Sequence, residues 1–193
     1  MRLTVHLLLN AYSQGVFPMA DEDGSIYWYD PDPRAIIPLD AFHVPRSLER
    51  RLRRGDFEVR FDAAFRAVMA ACAEPAPGRE VTWISPEFIE VYTELHELGF
   101  AHSVETWIEG ELAGGLYGVT LGGLFAGESM FSRATDSSKI ALVYLVERLR
   151  QRGFVLLDTQ FMTKHLRRFG AIEIPRAEYK ARLAQALAVW TKF

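Results

Sequence analysis

Three polar side chains stand at positions where an apolar core is expected, and they are the residues best placed to do chemistry. Glu128 lies within the apolar segment 123–131, and Asp158 and Gln160 end the apolar run that begins at Phe154. A carboxylate among apolar residues is costly unless it meets a cation, so Glu128 indicates either a bound positive group or a structural ion pair. Asp158 and Gln160 fall where ligands gather at the carboxyl ends of sheet strands, although Asp158 is also compatible with a helix N-cap.

The spacing of other reactive residue types excludes several common sites. The stretch 114–127 has six glycines but lacks both the GxGxxG spacing and the Gly-Lys-Ser/Thr ending of a phosphate loop. Those glycines indicate either strand bulges or the close approach of a ligand or backbone. Ser129 is not followed by the glycine of a hydrolase elbow. The five histidines show no ligand spacing and Cys72 is the single cysteine, so the sequence predicts no metal site and a buried, structural thiol.

The charge is unevenly arranged along a chain whose formal net charge is only -3. The segment 46–54 carries five arginines against one glutamate, and a second basic stretch spans residues 148–168. Because the guanidinium fork suits phosphate, these stretches are consistent with RNA contact. An arginine bias from a GC-rich genome, and a solvated helix face at 46–54, remain alternatives.

Length and composition place the chain among globular proteins. Its 193 residues are 49% hydrophobic, which fits one large domain or one core with a small appendage. The longest apolar run, Ile140 to Val146, is far shorter than a membrane span, and the N-terminus lacks a signal-peptide cleavage pattern. We therefore expect a cytoplasmic protein without a membrane anchor.

Hydrophobic periodicity then predicts the elements that position the polar residues. Apolar residues at helical spacing predict helices over 3–14, 46–54, 65–72, 86–98, 137–150, 163–168 and 175–190. Alternating or wholly apolar runs predict strands over 26–29, 35–37, 57–61, 101–108, 111–120, 124–131, 154–158 and 171–174, with a loop at 73–79. Asp62 and Asp136 are predicted helix caps. The pattern indicates an α+β fold with a mixed sheet, divided into a small N-terminal subdomain (1–38) and a main domain (39–193).

Six strings, in order, resemble one bacterial family. They are Tyr-Asp-Pro-Asp-Pro-Arg (29–34), Thr-Trp-Ile (82–84), Leu-His-Glu-Leu-Gly-Phe-Ala-His-Ser (95–103), Gly-Gly-Leu-Tyr-Gly-Val (114–119), Gly-Glu-Ser-Met-Phe-Ser-Arg (127–133) and Leu-Asp-Thr-Gln (157–160). Together they closely resemble the leucyl/phenylalanyl-tRNA-protein transferases, from about residue 10 to residue 179. The resemblance implies an aminoacyltransferase that moves Leu or Phe from aminoacyl-tRNA to an N-terminal Arg or Lys, marking the acceptor protein for degradation. It also implies a main domain similar to the GNAT acyltransferases.

The resemblance also implies roles for particular residues. Asp158 and Gln160 match the catalytic pair, with Gln160 near the attacking amine and Asp158 orienting it. Glutamine is a poor base, so the proton acceptor stays open, with a ribose hydroxyl of the tRNA end as one candidate. Glu128 would bind the donor's ammonium or the acceptor's basic residue. The matching donor-pocket positions are Trp83, Phe125, Leu116 and Met19, and the matching acceptor-stem contacts are Arg46, Arg50, Arg53 and Arg54; core packing is the alternative for the aromatic residues.

This chemistry implies no cofactor, because an aminoacyl ester is already activated and needs neither ATP nor a metal. The chain departs from the family at Met19, where longer members carry Trp, which leaves the preference between Leu and Phe open. It also begins inside what is an extended N-terminal segment in longer members. Two other functions stay open: a GNAT-type acyltransferase that uses acyl-coenzyme A, whose pyrophosphate-loop pattern is not found before Ser137, and a tRNA-end binding module without catalysis.

Overall fold

The described parts of the chain contain seven α-helices, one short 3-10 helix (Leu39–Ala41) and nine strands. The computed structural model describes residues 3–21, 23–75 and 82–193. Its helices are α1 (Val5–Ser13), α2 (Arg46–Arg54), α3 (Phe65–Ala73), α4 (Pro86–Glu97), α5 (Ser137–Arg152), α6 (Lys164–Arg167) and α7 (Arg176–Leu187). Its strands are β1 (Phe17–Ala20), β2 (Ile26–Tyr29), β3 (Arg34–Ile37), β4 (Glu58–Phe61), β5 (Ala101–Ile108), β6 (Glu111–Leu121), β7 (Leu124–Ser132), β8 (Leu156–Gln160) and β9 (Ile172–Ile174). Most of the predicted loop at 73–79, residues 76–79, lies outside the described residues.

A mixed sheet carries the architecture, and the predicted α+β class is confirmed. Seven strands lie in the order β4-β5-β6-β7-β8-β3-β9. The predicted antiparallel meander is β5-β6-β7, and β8 pairs with β7 in parallel after the α5 crossover. A parallel neighbour needs a crossover connection, and the sixteen-residue helix α5 supplies it.

The N-terminal segment contributes to this sheet as well as to a hairpin of its own. β1 and β2 form a separate two-stranded sheet, whereas β3 lies between β8 and β9 in the large sheet. Residues 34–37 therefore belong to the main sheet by hydrogen bonding, although they precede residue 39. This placement brings the start of β3 against the carboxyl end of β8, where Ala35 pairs with Gln160.

Helices cover both faces of the sheet. One core includes Leu8 of α1, Val68 of α3, Phe88 of α4 and Leu183 of α7. The core on the other face is built on α5 and includes Leu48 of α2. Within the described ranges, no helix has the length and apolar character needed to span a membrane. The sheet is thus a central layer between two helical layers, which bury the apolar residues on both of its faces.

Close packing accounts for part of the glycine-rich stretch. A Cβ atom at Gly114 would clash with the side chain of Ser137, because the start of α5 lies directly on β6. At Gly118, beside a bulge in the β6–β7 ladder, a Cβ atom would clash with the Ala126 carbonyl oxygen. These glycines therefore permit close approach of protein backbone and side chains.

The cap predicted at Asp62 is wrong, and the one predicted at Asp136 is right in position only. Asp136 occupies the N-cap position of α5 but makes no side-chain cap hydrogen bond, and its carboxylate pairs instead with Lys139. The N-cap position of α3 is Ala64, whose N–H is taken by Glu105 from β5, while the Asp62 carboxylate accepts from Ser103 N. The Asp136 carboxylate thus pairs within its own helix, whereas the Asp62 carboxylate binds β5.

Candidate active site

An apolar cavity of about 380 Å³ opens beside the carboxyl end of β8. Its apolar walls come from β1, β6, β7, α5, β8, the segment before α4 and the segment around α6: Phe17, Met19, Trp83, Leu116, Met130, Leu142, Leu145, Leu157, Phe161 and Leu166. Its polar side chains include Glu128, Thr159, Gln160 and His165. A mostly apolar pocket of this size with a few convergent polar groups is typical of a small-ligand site.

A hydrogen bond between Gln160 and Glu128 forms the polar end of this cavity. Gln160 Nε2 donates to Glu128 Oε1 at 2.9 Å. Within the described part of the chain, nothing donates to the side-chain carbonyl oxygen of Gln160. Because the amide nitrogen faces the carboxylate, that oxygen is left to accept a hydrogen bond from a ligand.

Asp158 is the anchor that holds Gln160 in place. Gln160 adopts φ 64°, a left-handed conformation that is uncommon for a residue other than glycine. Its backbone N–H donates to Asp158 Oδ1 at 2.9 Å, which fixes this conformation at the end of β8. Strained backbone of this kind persists only where the surroundings over-determine it, and here it aims the Gln160 side chain into the cavity.

Asp158 is itself held by a buried cation. Arg34 Nε and Nη2 form a fork on the two carboxylate oxygens at 2.9 and 2.6 Å, and both side chains are only 1% exposed. Tyr179 Oη donates to Asp158 Oδ2 at 2.9 Å, and Arg34 Nη1 donates to the Gly15 carbonyl oxygen. The guanidinium also lies over the rings of Phe17 and Tyr179. A bidentate, fully hydrogen-bonded pair of this kind holds the Asp158 side chain in one position.

Glu128 has a different environment from Asp158. It lines the cavity, and burial raises its pKa to about 8. A hydrogen bond from Tyr12 lowers this pKa and the charge of Asp158 raises it further. Tyr12 in turn shares a 2.6 Å hydrogen bond with Tyr92. Asp158 is thus held in an ion pair, whereas Glu128 lines the cavity and has a pKa near neutral pH.

Comparison with known proteins identifies the family. The sequence model described as leucyl/phenylalanyl-tRNA protein transferase matches residues 36–184, and the model of that family's N-terminal domain matches residues 1–32. The chain belongs to this family. A leucyl/phenylalanyl-tRNA–protein transferase of Herpetosiphon aurantiacus is 66% identical over 96% of this chain and 95% of its own. One from Paramagnetospirillum magneticum is 60% identical over 96% of this chain and 90% of its own. The family membership predicted from the six strings is confirmed.

Comparison with solved structures does not identify the fold class of this chain more closely. The structure of L-PGS from Bacillus licheniformis aligns with a TM-score of 0.47 and 16% identity, over 79% of this chain and 51% of that one. A likeness at this level does not establish a shared fold. The GNAT-like architecture therefore stays a prediction.

The transferase-family positions are only partly brought together in the cavity. Trp83, Met19 and Leu116 line it together with Glu128 and Gln160. Phe125 does not line it: this side chain is fully buried in the core against α5, with its ring 5.6 Å from that of Phe193. Asp158, which anchors Gln160, does not line the cavity either.

The predicted tRNA contacts lie on α2, away from the polar end of the cavity. Arg46, Arg50, Arg53 and Arg54 are all exposed, and Arg54 pairs with Asp56. A shallow cleft connects the start of α2 with Lys139, His165 and Arg168. His165 lines both this cleft and the cavity, and the cleft is also lined by Asp136, which pairs with Lys139.

One group among the described residues has the chemistry of a metal site. Asp62, His96 and His102 place their ligand atoms within 4.8 Å of one another. The His102 Nδ1 atom, however, lies 2.8 Å from Asp62 Oδ2, and His96 Nδ1 lies 2.8 Å from the Ala101 carbonyl oxygen. The His96 bond ties α4 to β5, and the His102 bond ties β5 to the residue after β4; none of the three side chains lines the cavity.

Sequence reasoning missed the residues that support the site. Arg34, Tyr179 and Tyr12 carry no local signal, since each lies far along the chain from the residue that it contacts. The available clue was Arg34 itself, an arginine that opens the short apolar strand β3 within the string 29–34. His165 was also missed; its Nε2 atom is buried with no hydrogen-bond partner among the described residues, and it faces the cavity.

Proposed function

We propose that this protein transfers Leu or Phe from aminoacyl-tRNA to the N-terminal Arg or Lys of acceptor proteins. The modified N-terminus would then mark the acceptor for degradation. The observation that carries the proposal is an apolar cavity ending in the Gln160–Glu128 hydrogen bond, in a chain of this transferase family.

The cavity suits the donor's side chain. Leu116, Met19 and Trp83 contribute apolar wall, and burial of a Leu or Phe side chain favours these donors over polar ones by about 1.5–3 kcal/mol. Phe125 supports this wall from the core rather than touching the donor. Met19 is unbranched and flexible, so it adapts its shape to either side chain.

The polar end suits the acceptor's amine. The free carbonyl oxygen of the Gln160 side chain accepts an N–H of the attacking amine and aims its lone pair at the ester carbonyl carbon. Asp158 acts through Gln160 by fixing its backbone, and Arg34 acts through Asp158. The reaction then depends on positioning, because an aminoacyl ester is already activated and needs no further cofactor.

The arginines of α2 suit the phosphates of the tRNA acceptor stem. Arg46, Arg50, Arg53 and Arg54 are exposed, and the start of their helix shares a small cleft with Arg168 and with His165, which also lines the cavity. Phosphate contacts supply affinity without reading sequence, so binding is expected to weaken steeply with salt.

Finer features of the fold and location belong to the same proposal. A mixed sheet between two helical layers, with a parallel β7–β8 pair at the site, supports a GNAT-like main domain. We place the division into an N-terminal subdomain and a main domain at residues 38 and 39. A cytoplasmic location follows from the proposed substrate, since charged tRNA is used there.

The test is transfer of radiolabelled Phe and Leu from charged tRNA to a peptide that begins with Arg. A peptide that begins with Glu serves as the control acceptor. We expect label on the Arg peptide alone, loss of transfer in Gln160→Ala, and full transfer in Gln151→Ala, whose side chain is exposed on α5. No transfer by the unchanged protein, or equal labelling of both peptides, would refute the proposal.

A further inference from the structure

The proposed reaction must remove a proton from the attacking amine, and few groups in the cavity can receive it. Among the described residues that line the cavity, the side chains that could accept a proton near neutral pH are Glu128 and His165. Asp158 is not available, because each of its oxygens already accepts two hydrogen bonds: Oδ1 from Arg34 Nε and Gln160 N, Oδ2 from Arg34 Nη2 and Tyr179 Oη.

His165 is poorly suited to this task. It stands on α6 beside Lys139 and Arg168, and burial followed by these two positive charges lowers its pKa. An incoming proton would add a third positive charge at the same place. Among the described residues no hydrogen bond joins His165 to Gln160, the residue that we expect to hold the amine.

We propose that Glu128 is the catalytic proton acceptor of the transfer reaction, a role that rests on the function proposed above. The neutral amine nitrogen attacks the ester carbonyl carbon, and a carbon–nitrogen bond forms as the carbonyl electrons move to oxygen. The Glu128 carboxylate takes a proton from that nitrogen. The bond to the ribose oxygen then breaks, and the Glu128 carboxyl returns the proton to the leaving oxygen, which restores the carboxylate and yields an amide and a ribose hydroxyl.

The hydrogen bond to Gln160 places the carboxylate for this step. An amine that donates to the Gln160 side-chain carbonyl oxygen lies next to the amide nitrogen of the same side chain, and that nitrogen is 2.9 Å from Glu128 Oε1. Because Gln160 is fixed by its backbone, the amine and the carboxylate are brought together by one residue. Proton transfer by a positioned group contributes about 10²–10⁴-fold to rate.

The groups around Glu128 set its pKa at a value that lets it both accept and release a proton. The groups that face it are Tyr12 from α1, Tyr92 from α4, Arg34 from β3 and Asp158 from β8. The resulting pKa of about 8 lies close to that of a peptide α-amino group, about 7.7–8.0. The carboxylate therefore has enough proton affinity to take the proton and holds it loosely enough to give it back.

The experiment is single-turnover transfer of Phe to an Arg peptide, with enzyme and acceptor saturating, from pH 5.5 to 8.0. The variants are Glu128→Gln and Glu128→Asp, and the matched control is Glu105→Gln, which changes a buried carboxylate of β5 outside the cavity. Binding of Phe-tRNA is measured separately by filter retention, and folding of each variant by circular dichroism.

We expect Glu128→Gln to lower the saturating rate by about 10²–10³-fold while the Kd for Phe-tRNA changes less than about threefold. On a log scale the slope of rate against pH below 7 should fall by one unit, because one deprotonation is no longer required. Glu128→Asp should restore part of the rate and the full slope, and Glu105→Gln should leave both unchanged.

Two results would overturn the proposal while leaving the transferase function intact. One is a Glu128→Gln variant whose saturating rate is unchanged and whose Kd for Phe-tRNA rises, which would make Glu128 a binding group only. The other is a lower rate with the same pH slope as the unchanged protein. Failure of the proposed function itself looks different, since the unchanged protein would then transfer nothing at any pH.

Discussion

Replacing Glu128 by Gln should stabilise the protein, and the gain should grow with pH. The side chain is held partly buried, where the charged form is disfavoured, and its pKa rises from an ordinary 4.5 to about 8. Gln has nearly the same shape and stays neutral, and its carbonyl oxygen can still accept the hydrogen bond from Gln160.

The sign and size follow from proton linkage. Between pH 4.5 and 8 the folded protein holds a proton on Glu128 that the unfolded chain releases, so stability falls as pH rises through this window. With these two pKa values, the gain of Glu128→Gln in unfolding free energy is less than about 1 kcal/mol at pH 5, about 3 kcal/mol at pH 7 and nearly 5 kcal/mol at pH 9.

Urea denaturation of both proteins at pH 5, 7 and 9, followed by tryptophan fluorescence, measures this difference. Glu111→Gln is the control, because Glu111 is exposed at the start of β6 and its replacement should give the same small difference at each pH. A Glu128→Gln gain that is independent of pH, or a variant less stable than the parent at pH 9, would refute the reasoning. A protein that keeps so costly a carboxylate needs it for function, which is why stability and transfer should change in opposite directions.

Three other substitutions test the ion pair, the glycine packing and the basic helix separately. Arg34→Met should lower the unfolding free energy by about 3–5 kcal/mol in urea titrations, because it leaves Asp158 buried without its cation, and a decrease below about 1 kcal/mol would show that the pair is not what holds β8. Gly118→Ala should cost about 1–3 kcal/mol, seen as a lower Tm, since its Cβ atom would clash with a backbone carbonyl oxygen; an unchanged Tm would contradict this close approach. Changing Arg46 and Arg50 together to Gln should reduce the slope of log Kd against log salt for tRNA by about 1 for each phosphate that is no longer bound, and an unchanged slope would place the tRNA elsewhere.

Much of the secondary structure was predictable because its signals are local. The strands 101–108, 111–120 and 124–131 were predicted within one residue of β5, β6 and β7, since turn glycines separate runs with the periodicity of strands. Ser85 followed by Pro86 is a local pattern typical of a helix start, and the Ser85 side chain does cap α4 by accepting from Phe88 N. The family was also readable from the sequence, because the order and spacing of six strings are a property of the chain alone.

What the sequence could not supply were the contacts between residues that lie far apart along it. Asp158 and Glu128 were both recognised as carboxylates in apolar surroundings, yet their partners differ in a way that no local pattern shows. Asp158 meets Arg34, 124 positions away, whereas Glu128 meets Tyr12 and the side chain of Gln160. The predicted cap at Asp62 failed for the same reason, since its carboxylate accepts from Ser103 N, 41 positions away.

The tertiary structure therefore decided that Asp158 is held in an ion pair and that Glu128 faces the cavity. Sequence alone determined that the chain forms a mixed α+β sheet, and it also determined that polar groups gather at the end of β8. The insertion of β3 between β8 and β9 brings Arg34 to Asp158, and that pairing leaves Glu128 as the carboxylate that faces the cavity. The physical reason is that burial penalises a lone charge, so the arrangement of distant strands decides which carboxylate has a buried cation beside it.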